Sequence, residues 1–599
     1  MRDNLHSSMV DKGLKSRAGL IIVVVFVLLG ILVCRLAVMQ IFKGAYYNGL
    51  AMNNRTRIVS INAPRGRILD RNNVVLADNR PSYNLMALPE DISDVKGVAH
   101  RLSMILEKDE DEIAGIITKG MNRPFEPVYV ARDITFEQVA GVESILFDLP
   151  GVGINAGTQR HYVYDMLGAH TLGFLGEVSA DQLRNPGKED YARGDLVGKN
   201  GVEKRCEKKL RGIKGYRIFE VDVLGRRIRV LKEEAPERGS DIKITIDKQL
   251  QAIAMNAMDG KAGSVVAMRP SDGEILALVS APGFDPNMFL GHLDEEGWNA
   301  FIRDPMHPLQ NRALRGQYPP GSIFKVVVAL SGLSTGRIMH EDTCVCTGEY
   351  KVGNHTFHCW NSWGHGKVDL ARGIIESCDV YFYWLGEKLG IDLIASTARA
   401  MGLGAPTGIE THDEESGLIP TKAWKLRRFG RLWQLGETII SAIGQGFVLV
   451  TPIQVAKSMS AVVNGGQIYT PRILMDSPVH EEAQLNVSKK DLDFIREALR
   501  KVVESEHGTA RQIMDPDVSV GGKTGTAQVV SGYTSKRPDE TDIPYKFRDH
   551  AWFFGFSPVR DPEILVACVV EHGGHGGSVA GPVVHKVIKR YFSLKKEKK

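Results

Sequence analysis

The chain has 599 residues, of which 43% are hydrophobic and 24% are charged, and its formal net charge is +4. A chain of this length exceeds what one ordinary hydrophobic core supports, so we expect two to four domains. The nearly balanced charge gives no reason to expect nucleic acid as a partner.

The N-terminus departs from this average composition. Residues 18–34 carry no charged side chain, and the apolar pattern resumes after Arg35 and ends before Lys43. At about 1.5 Å per residue, a helix over 18–42 is long enough to cross a hydrocarbon core of about 30 Å, and Arg35 is near enough to the outer end to reach the headgroups. The sequence therefore predicts one transmembrane helix, and no second span follows it.

Basic residues before this span predict its orientation. Because Lys12, Lys15 and Arg17 precede it, we expect residues 1–17 to be a cytoplasmic tail. The protein would then be single-pass in the cytoplasmic (inner) membrane, with the bulk of the chain periplasmic or otherwise extracytoplasmic. The alternative is a cleaved signal peptide, but the apolar run exceeds a usual signal core and no clear small-x-small site follows it.

Residues 43–240 are predicted to form the first domain outside the membrane. A helical stalk is expected over 43–60. The string Asn62-Ala-Pro-Arg-Gly-Arg-Ile-Leu-Asp-Arg-Asn-Asn-Val-Val-Leu-Ala77 is typical of a β-hairpin with Pro/Gly and Asp-Arg-Asn-Asn turns. Short strands then alternate with charged helices, and Gly198-Lys-Asn-Gly-Val-Glu203 opens a basic helix. A Gly-Ser pair at 239–240 marks the expected boundary.

Residues 241–594 are predicted to form the second domain. The predicted elements are a helix over 248–258, a hairpin around the turn Pro270-Ser-Asp-Gly273, strands over 550–558 and 563–572, and a closing helix over 581–592. Strands at both ends with a helical middle predict an α+β fold with one sheet formed by both termini. The final Lys-rich residues are expected to be a solvated tail.

Three short sequence motifs in this domain together contain the reactive groups of a catalytic site. They are Ser322-Ile-Phe-Lys325, Ser377-Cys-Asp379 and Lys523-Thr-Gly-Thr526. In this order they supply a hydroxyl nucleophile, an amine to take its proton, a hydroxyl to relay that proton, and a cationic strand to hold an anionic substrate. Alone, the first two are explained by N-capping serines and the third by a phosphate-binding turn, although the spacing of a P-loop is absent. Together they predict serine acyl transfer.

The flanking residues suggest how these groups would act. Pro319-Pro-Gly321 ends a segment, so Ser322 is expected at a helix N-terminus with Lys325 one turn later on the same face. Lys325 must lose its proton to act as a base, which the positive charge of Lys523 would favour. The backbone N–H groups of Ser322 and Thr526 would form an oxyanion hole.

On these motifs the chain resembles the class B penicillin-binding proteins, in particular their elongation-type branch, penicillin-binding protein 2. The strings at 62–77 and 198–203 resemble those of the family's pedestal domain, and Ala442-Ile-Gly-Gln-Gly446 followed by Thr451-Pro452 also resembles this family. The resemblance implies an α+β fold with a single N-terminal transmembrane helix, an elongated pedestal of the dimerisation type, and a transpeptidase domain like penicillin-binding proteins and serine β-lactamases. That domain would combine an antiparallel sheet with a helical subdomain.

The resemblance also implies residue roles. Ser322 would be the acyl-enzyme nucleophile and Lys325 its base. Ser377 would act in proton transfer, with Asp379 in the same motif. The substrate and the oxyanion would be held by Lys523, Thr524, Gly525 and Thr526. Division-type relatives more often have Asn where this chain has Asp379, which favours the elongation type and leaves open whether an amide hydrogen bond there carries over.

The reaction implied by the resemblance is peptidoglycan D,D-transpeptidation. Ser322 would attack the D-Ala-D-Ala bond of a stem peptide, an amine of a neighbouring strand would take the acyl group, and β-lactams would trap Ser322. The implied partners are a multi-span glycosyltransferase of the SEDS class (shape, elongation, division and sporulation) and other elongation-machinery proteins. The alternatives are a septal-type transpeptidase, a membrane-anchored serine β-lactamase or carboxypeptidase, and a non-enzymatic β-lactam sensor.

A cluster of cysteines lies near the second motif. Four of the seven cysteines fall between residues 344 and 378, and a histidine lies among them. A closed, structural zinc site is predicted from the set Cys346, Cys359, His365 and Cys378. The resemblance implies the same, because elongation-type relatives carry zinc at this place. Rival ligands are Cys344, His355 and His358. A disulfide, which an oxidising compartment permits, and unconnected buried cysteines are the alternatives.

Overall fold

The computed structural model describes residues 3–184, 191–222, 227–291, 295–411, 413–529 and 543–598, so the first two residues of the predicted tail lie outside it. Contacts divide the chain into two compact units. The smaller unit comprises residues 1–63, 83–157 and 213–237, and the larger unit comprises residues 64–82, 158–212 and 238–599. The domain boundary at residue 240 stays a prediction.

The helices, in chain order, are α1 (Asp3–Ala37), α2 (Gly44–Arg55), α3 (Val95–Leu106), α4 (Glu110–Gly120), α5 (Phe136–Ile145), α6 (Ala169–Leu172), α7 (Ala180–Leu183), α8 (Gly201–Arg205), α9 (Glu207–Leu210), α10 (Lys248–Met258), α11 (Glu295–Arg303), α12 (Arg312–Arg315), α13 (Lys325–Ser334), α14 (Leu370–Ile375), α15 (Asp379–Leu389), α16 (Ile391–Ala400), α17 (Lys422–Phe429), α18 (Leu435–Ala442), α19 (Pro452–Val463), α20 (Lys489–Glu504) and α21 (Gly576–Glu597).

The strands, in chain order, are β1 (Thr56–Ile61), β2 (Ile68–Leu69), β3 (Val75–Ala87), β4 (Val128–Ala131), β5 (Val152–Tyr162), β6 (Leu175–Glu177), β7 (Leu196–Gly198), β8 (Gly215–Val221), β9 (Arg227–Glu234), β10 (Ile242–Lys243), β11 (Gly263–Met268), β12 (Ile275–Ala281), β13 (Cys344–Cys346), β14 (Glu349–Val352), β15 (His355–His358), β16 (Gly366–Val368), β17 (Gln467–Tyr469), β18 (Glu481–Gln484), β19 (Gly521–Ala527), β20 (His550–Ser557) and β21 (Ile564–Val570).

The N-terminal helix has the length and composition of a membrane span. Helix α1 continues into a π-helical turn at Val38–Phe42, and residues 17–42 are the one described segment that is long and apolar enough to cross a bilayer. The apolar side chains of this segment are exposed, as a membrane-spanning helix in the absence of lipid must be. The finding agrees with the predicted single-pass anchor over 18–42.

The smaller unit has its own hydrophobic core. Helices α3, α4 and α5 pack with β4 around residues such as Leu102, Ile117 and Val142. Asp94 and Asp109 cap α3 and α4 by accepting hydrogen bonds from backbone N–H groups of the first turn. A separate antiparallel sheet in this unit has the strand order β1-β8-β9.

The larger unit is built on a five-stranded antiparallel sheet with the order β12-β11-β21-β20-β19. Strands β11, β12 and β21 are completely buried, because α10 and α21 cover one face while α19 packs on β11 and β21. Both ends of the domain supply strands to this sheet, as predicted. The edge strand β19 carries the Lys-Thr-Gly motif.

Two predicted elements have different bounds in the structure. The predicted stalk helix over 43–60 ends at Arg55, because Thr56–Ile61 pairs along its length with β8. The closing helix begins at Gly576 and continues to Glu597 through the predicted solvated tail. Leu594 in that tail is buried and Lys595 forms an ion pair with Glu563 at 2.5 Å, which explains the extension.

Candidate active site and cysteine-histidine cluster

The backbone before Ser322 is held in a conformation that suits glycine. Residues 321–324 form a 3-10 turn that leads into α13, and Gly321 has a φ of +54°. A Cβ on Gly321 would lie 2.6 Å from the carbonyl oxygen of Thr526, and the Gly321 N–H donates to Gly444 at 3.0 Å. The nucleophile segment therefore lies directly against the Lys-Thr-Gly-Thr strand.

Lys325 is fully buried and is bonded to the second motif. Its ammonium donates to the carbonyl oxygen of Ser377 at 2.8 Å, to the Ser377 hydroxyl at 3.2 Å and to Asp379 Oδ1 at 2.6 Å. Ser377 has a φ of +55°, which is uncommon for a residue with a side chain and turns its carbonyl toward the lysine. The structure thus brings the first two motifs together.

Asp379 connects Lys325 to a tryptophan that we did not predict. Its other oxygen, Oδ2, accepts from the Trp360 N–H at 2.9 Å, and the Trp360 indole donates to the Ser377 carbonyl at 3.1 Å. Trp360 directly follows one of the predicted zinc ligands, Cys359. In the sequence nothing marked it as an active-site residue, because its contacts depend on how the loop folds back.

Lys523 shares this buried site. Burial, together with the positive charge of Lys325, holds the pKa of the Lys523 amine well below its usual value, while Asp379 acts in the opposite direction. The Lys325 amine lies beside the Asp379 carboxylate, with 2.6 Å between Nζ and Oδ1.

The neighbouring residues of this strand line the same site. The Gln445 side chain donates to the Thr526 carbonyl at 3.0 Å, and the Thr524 and Thr509 hydroxyls lie 2.8 Å apart. A Cβ on Gly525 would lie 2.8 Å from the carbonyl oxygen of Pro320, so glycine is required for this close approach. Gln445 belongs to the Ala-Ile-Gly-Gln-Gly string, which is the signal that pointed to it.

A second set of contacts, not predicted from the sequence, supports the segment before Ser322. The Glu571 carboxylate accepts from Tyr318 at 2.7 Å and from Arg312 at 3.0 Å, and although burial opposes it, these donors hold the pKa of Glu571 below its usual value. The Trp552 indole donates to the Pro319 carbonyl at 3.1 Å. Two of these bonds fix the chain three and four residues before the predicted nucleophile.

The four predicted zinc ligands lie together. The ligand atoms of Cys346, Cys359, His365 and Cys378 are all within 4.8 Å of one another. His365 Nδ1 lies 3.5 Å from the sulfurs of both Cys346 and Cys359. Tetrahedral zinc with bonds of about 2.3 Å to sulfur and 2.0 Å to nitrogen separates these atoms by about 3.5 Å, so the arrangement fits the ion. Cys344 is outside the group, and no cysteine among the described residues forms a disulfide.

Comparisons with known proteins agree on one family. The model of the penicillin binding protein transpeptidase domain matches residues 263–589, and that of the penicillin-binding protein dimerisation domain matches residues 60–244. The chain is 35% identical over 569 residues to the peptidoglycan D,D-transpeptidase MrdA of Acinetobacter baumannii, covering 93% of this chain and 84% of that relative.

Solved structures give the same result. A complex between penicillin-binding protein PBP2 and MreC from Helicobacter pylori is 29% identical with a TM-score of 0.79, covering 90% of this chain and 99% of the other. A second match is a chain of a peptidoglycan synthase complex that coordinates polymerization and crosslinking. It is 29% identical with a TM-score of 0.69, and the match covers 96% of this chain and 98% of the other.

Proposed function

The chain belongs to the MrdA family of peptidoglycan D,D-transpeptidases, the penicillin-binding protein 2 type, and from this premise we propose that Ser322 carries the acyl group. The protein is a serine acyl transferase that cross-links peptidoglycan during cell elongation. The observation that carries the residue assignment is the convergence of three distant motifs. Lys325 contacts Ser377 and Asp379, and Gly321 lies against Thr526.

In the proposed reaction Ser322 Oγ attacks the carbonyl carbon of the penultimate D-Ala. Its proton passes to the amine of Lys325 and, through the Ser377 hydroxyl, to the leaving nitrogen, so that D-Ala departs as the C–N bond breaks. An amine of a second stem peptide then attacks the ester, loses its proton by the reverse path, and restores the Ser322 hydroxyl. The N–H groups of Ser322 and Thr526 are assigned to the oxyanion.

Lys523 is assigned to the substrate carboxylate. Its amine is buried beside Lys325, and burial and this neighbouring charge hold its pKa well below the usual value. The terminal carboxylate of a stem peptide would bring an opposite charge to Lys523 and so favour its protonated form. Thr524, Gly525 and Thr526 continue the strand along which the donor peptide would lie.

We assign structural zinc to the Cys346, Cys359, His365 and Cys378 cluster. The 3.5 Å separations between sulfur and nitrogen support this set over one that contains Cys344. The ion would hold the loop and the start of α15 together, since Cys378 lies between Ser377 and Asp379. The chain's own bonds from Trp360 to this motif act in the same direction.

We also propose the partners and the orientation of the chain. The resemblance to PBP2 bound to MreC and to a peptidoglycan synthase complex supports elongation-machinery partners, with a SEDS-class glycosyltransferase supplying the uncross-linked strands. The N-terminus is assigned to the cytoplasm because basic residues precede the span. Protease accessibility of the full-length protein in spheroplasts tests the orientation.

The function is tested by mapping the residue that penicillin modifies. Full-length protein in detergent is labelled with a fluorescent penicillin, digested and analysed by mass spectrometry. We expect one adduct on the peptide that contains Ser322, stoichiometric and long-lived, and no adduct in Ser322→Ala. Rapid turnover of the penicillin would indicate a β-lactamase instead, and normal function of Ser322→Ala in cells would indicate a sensor or scaffold.

A further inference from the structure

An exposed basic segment lies shortly before helix α18, which leads to Gln445. Residues 426–432, with the sequence Leu-Arg-Arg-Phe-Gly-Arg-Leu, are all exposed and are called the arginine ridge here. Leu426 and Phe429 are each 50% exposed and Leu432 is 72% exposed. The surrounding chain from 416 to 436 contains five Lys and Arg residues and neither Asp nor Glu. The ridge therefore presents both positive charge and apolar surface to solvent.

The three arginines of the ridge are available to bind an anion. The nearby lysines are already paired, Lys425 with Glu437 at 2.5 Å and Lys422 with Asp392 at 3.8 Å. Within the described part of the chain, no carboxylate forms an ion pair with the arginines at 427, 428 or 431. A guanidinium in water binds a carboxylate with two parallel hydrogen bonds, which suits a carboxylate-bearing ligand.

The ridge is held in place by an aromatic cluster. Trp424, Phe429 and Trp433 surround Phe447, with ring centroids 5.2, 5.7 and 6.4 Å from it. The buried Lys425 ammonium, paired with Glu437, fixes the same helix from the other side. The ridge is therefore a formed surface, which lowers the entropy cost of binding.

Neighbouring parts of the chain connect this surface to residues of the proposed active site. Phe447 is two residues after Gln445, whose amide donates to the Thr526 carbonyl at 3.0 Å. At the other end of the segment, a Cβ on Gly436 would contact the Phe357 ring at 3.4 Å, and Phe357 lies three residues before Trp360. The ridge therefore packs, through Phe429, on the segment that carries Gln445, and the chain four residues after the ridge contacts the loop that leads to Trp360.

We propose that the arginine ridge binds an uncross-linked peptidoglycan strand through the carboxylates of its stem peptides. The inference rests on the proposed function, because it takes the strand to be the substrate. Every stem peptide that ends in D-Ala-D-Ala has a terminal carboxylate, so a strand is a polyanion that complements three unpaired arginines. The exposed leucines and phenylalanine would contact the aliphatic parts of the strand. Binding there keeps successive stem peptides near Ser322.

The experiment measures binding of fluorescent, uncross-linked peptidoglycan strands to the full-length protein in detergent. The test variant is Arg427→Ala with Arg428→Ala and Arg431→Ala. The matched control is the triple alanine variant of exposed lysines elsewhere, Lys489, Lys490 and Lys586, which removes the same charge. We expect the test variant to bind roughly tenfold more weakly, and the control to stay within about twofold of wild type. Wild-type binding should also fall with added salt and with strands whose carboxylates are amidated.

Several outcomes would overturn this inference. They are unchanged strand binding by the test variant, equal loss in both triple variants, and loss of binding to phosphatidylglycerol vesicles without loss of strand binding, which would indicate a membrane contact. Melting within about 2 °C of wild type verifies the fold, and a triple Arg→Gln variant replaces the alanine variant if that one does not fold. Penicillin labelling of wild-type Ser322 in the same preparation reports on the proposed function separately.

Discussion

Two buried ion clusters in the larger unit differ in their charge balance. In the first, Arg65 donates to Glu203 at 2.8 Å and to Glu207 at 2.7 Å, and Arg160 donates to Glu203 at 2.7 Å. Two cations meet two carboxylates, and Tyr162 and the backbone groups of Gly66 and Gly198 make further hydrogen bonds to them. Although burial opposes it, the guanidiniums hold the pKa of Glu203 below its usual value. This cluster therefore has as many cationic groups as anionic groups.

The second cluster has one carboxylate for two cations. Lys325 and Lys523 are both fully buried, and Asp379 is their shared counter-charge. Burial and the positive charge of Lys325 lower the pKa of Lys523 well below its usual value, while Asp379 acts in the opposite direction. The comparison teaches that balanced buried charge stabilises a junction of the chain, whereas unbalanced buried charge prepares a site for acid-base chemistry.

The largest effect is expected in the unbalanced cluster. Lys325→Met removes the proposed base, so the rate constant for penicillin acylation should fall about 10³-fold. The free energy of unfolding should fall by less than the roughly 3–5 kcal/mol of an uncompensated buried charge, because Asp379 keeps the electrostatic attraction of Lys523 and the hydrogen bond from the Trp360 N–H. Stopped-flow acylation and thermal melting measure the two effects, and the exposed Lys388→Met is the control. A rate constant for penicillin acylation in Lys325→Met equal to that of wild type would contradict the assignment of Lys325 as the base.

In the balanced cluster, a substitution should lower stability rather than the acylation rate. Glu203→Gln leaves Arg65 and Arg160 buried with too little negative charge, so we expect a loss of about 3–5 kcal/mol in stability. The exposed Arg123–Glu126 pair offers a control, since Glu126→Gln should cost no more than about 1 kcal/mol. Urea and thermal melting of the full-length protein measure both. Equal costs for the two substitutions would remove the distinction between the clusters.

Buried histidines show a third arrangement, in which the group is kept neutral. Burial lowers the pKa of His170 to about 4, and the ring donates to the Pro308 carbonyl at 2.9 Å. Between about pH 6.5 and pH 4 the unfolded chain binds a proton that folded His170 does not, so stability falls with falling pH, by about 3 kcal/mol for this group. The melting temperature, measured from pH 6.5 to pH 4, should depend less steeply on pH in His170→Gln than in wild type. An equally steep dependence of melting temperature on pH in this variant would contradict the lowered pKa of His170.

The cysteine cluster is a buried polar group without a cation of its own, and zinc would supply the charge. We expect about one zinc per chain in purified protein, and loss of most of it in Cys359→Ser. Acylation should fall on the order of tenfold, because the support of Asp379 loosens. Cys344→Ser is the matched control, since that cysteine lies outside the group, and should keep its metal. Absence of zinc with two fewer free thiols would establish a disulfide instead.

Local patterns predicted much of the fold. The helix over 248–258, the hairpin of β11 and β12, and the Lys-Thr-Gly strand are as expected, because each has a strong local period and clear turn residues. The stalk prediction failed beyond Arg55, since Thr56–Ile61 is a strand only through pairing with β8, about 160 residues away. Such long-range pairing leaves little signal in the strand itself.

By itself, the sequence determined the kinds of chemistry available: one apolar span, a serine-lysine pair on a helix, a second serine motif, a lysine-glycine strand and a cysteine-histidine set. The tertiary structure alone decided the partners. It placed Asp379 beside Lys325, lowered the pKa of Lys523 by burying it next to a second cation, and joined Arg65 of one string to Glu203 of another. The reason is physical. Residue type and spacing fix what a group can do, but charge and burial depend on neighbours that folding brings from distant parts of the chain.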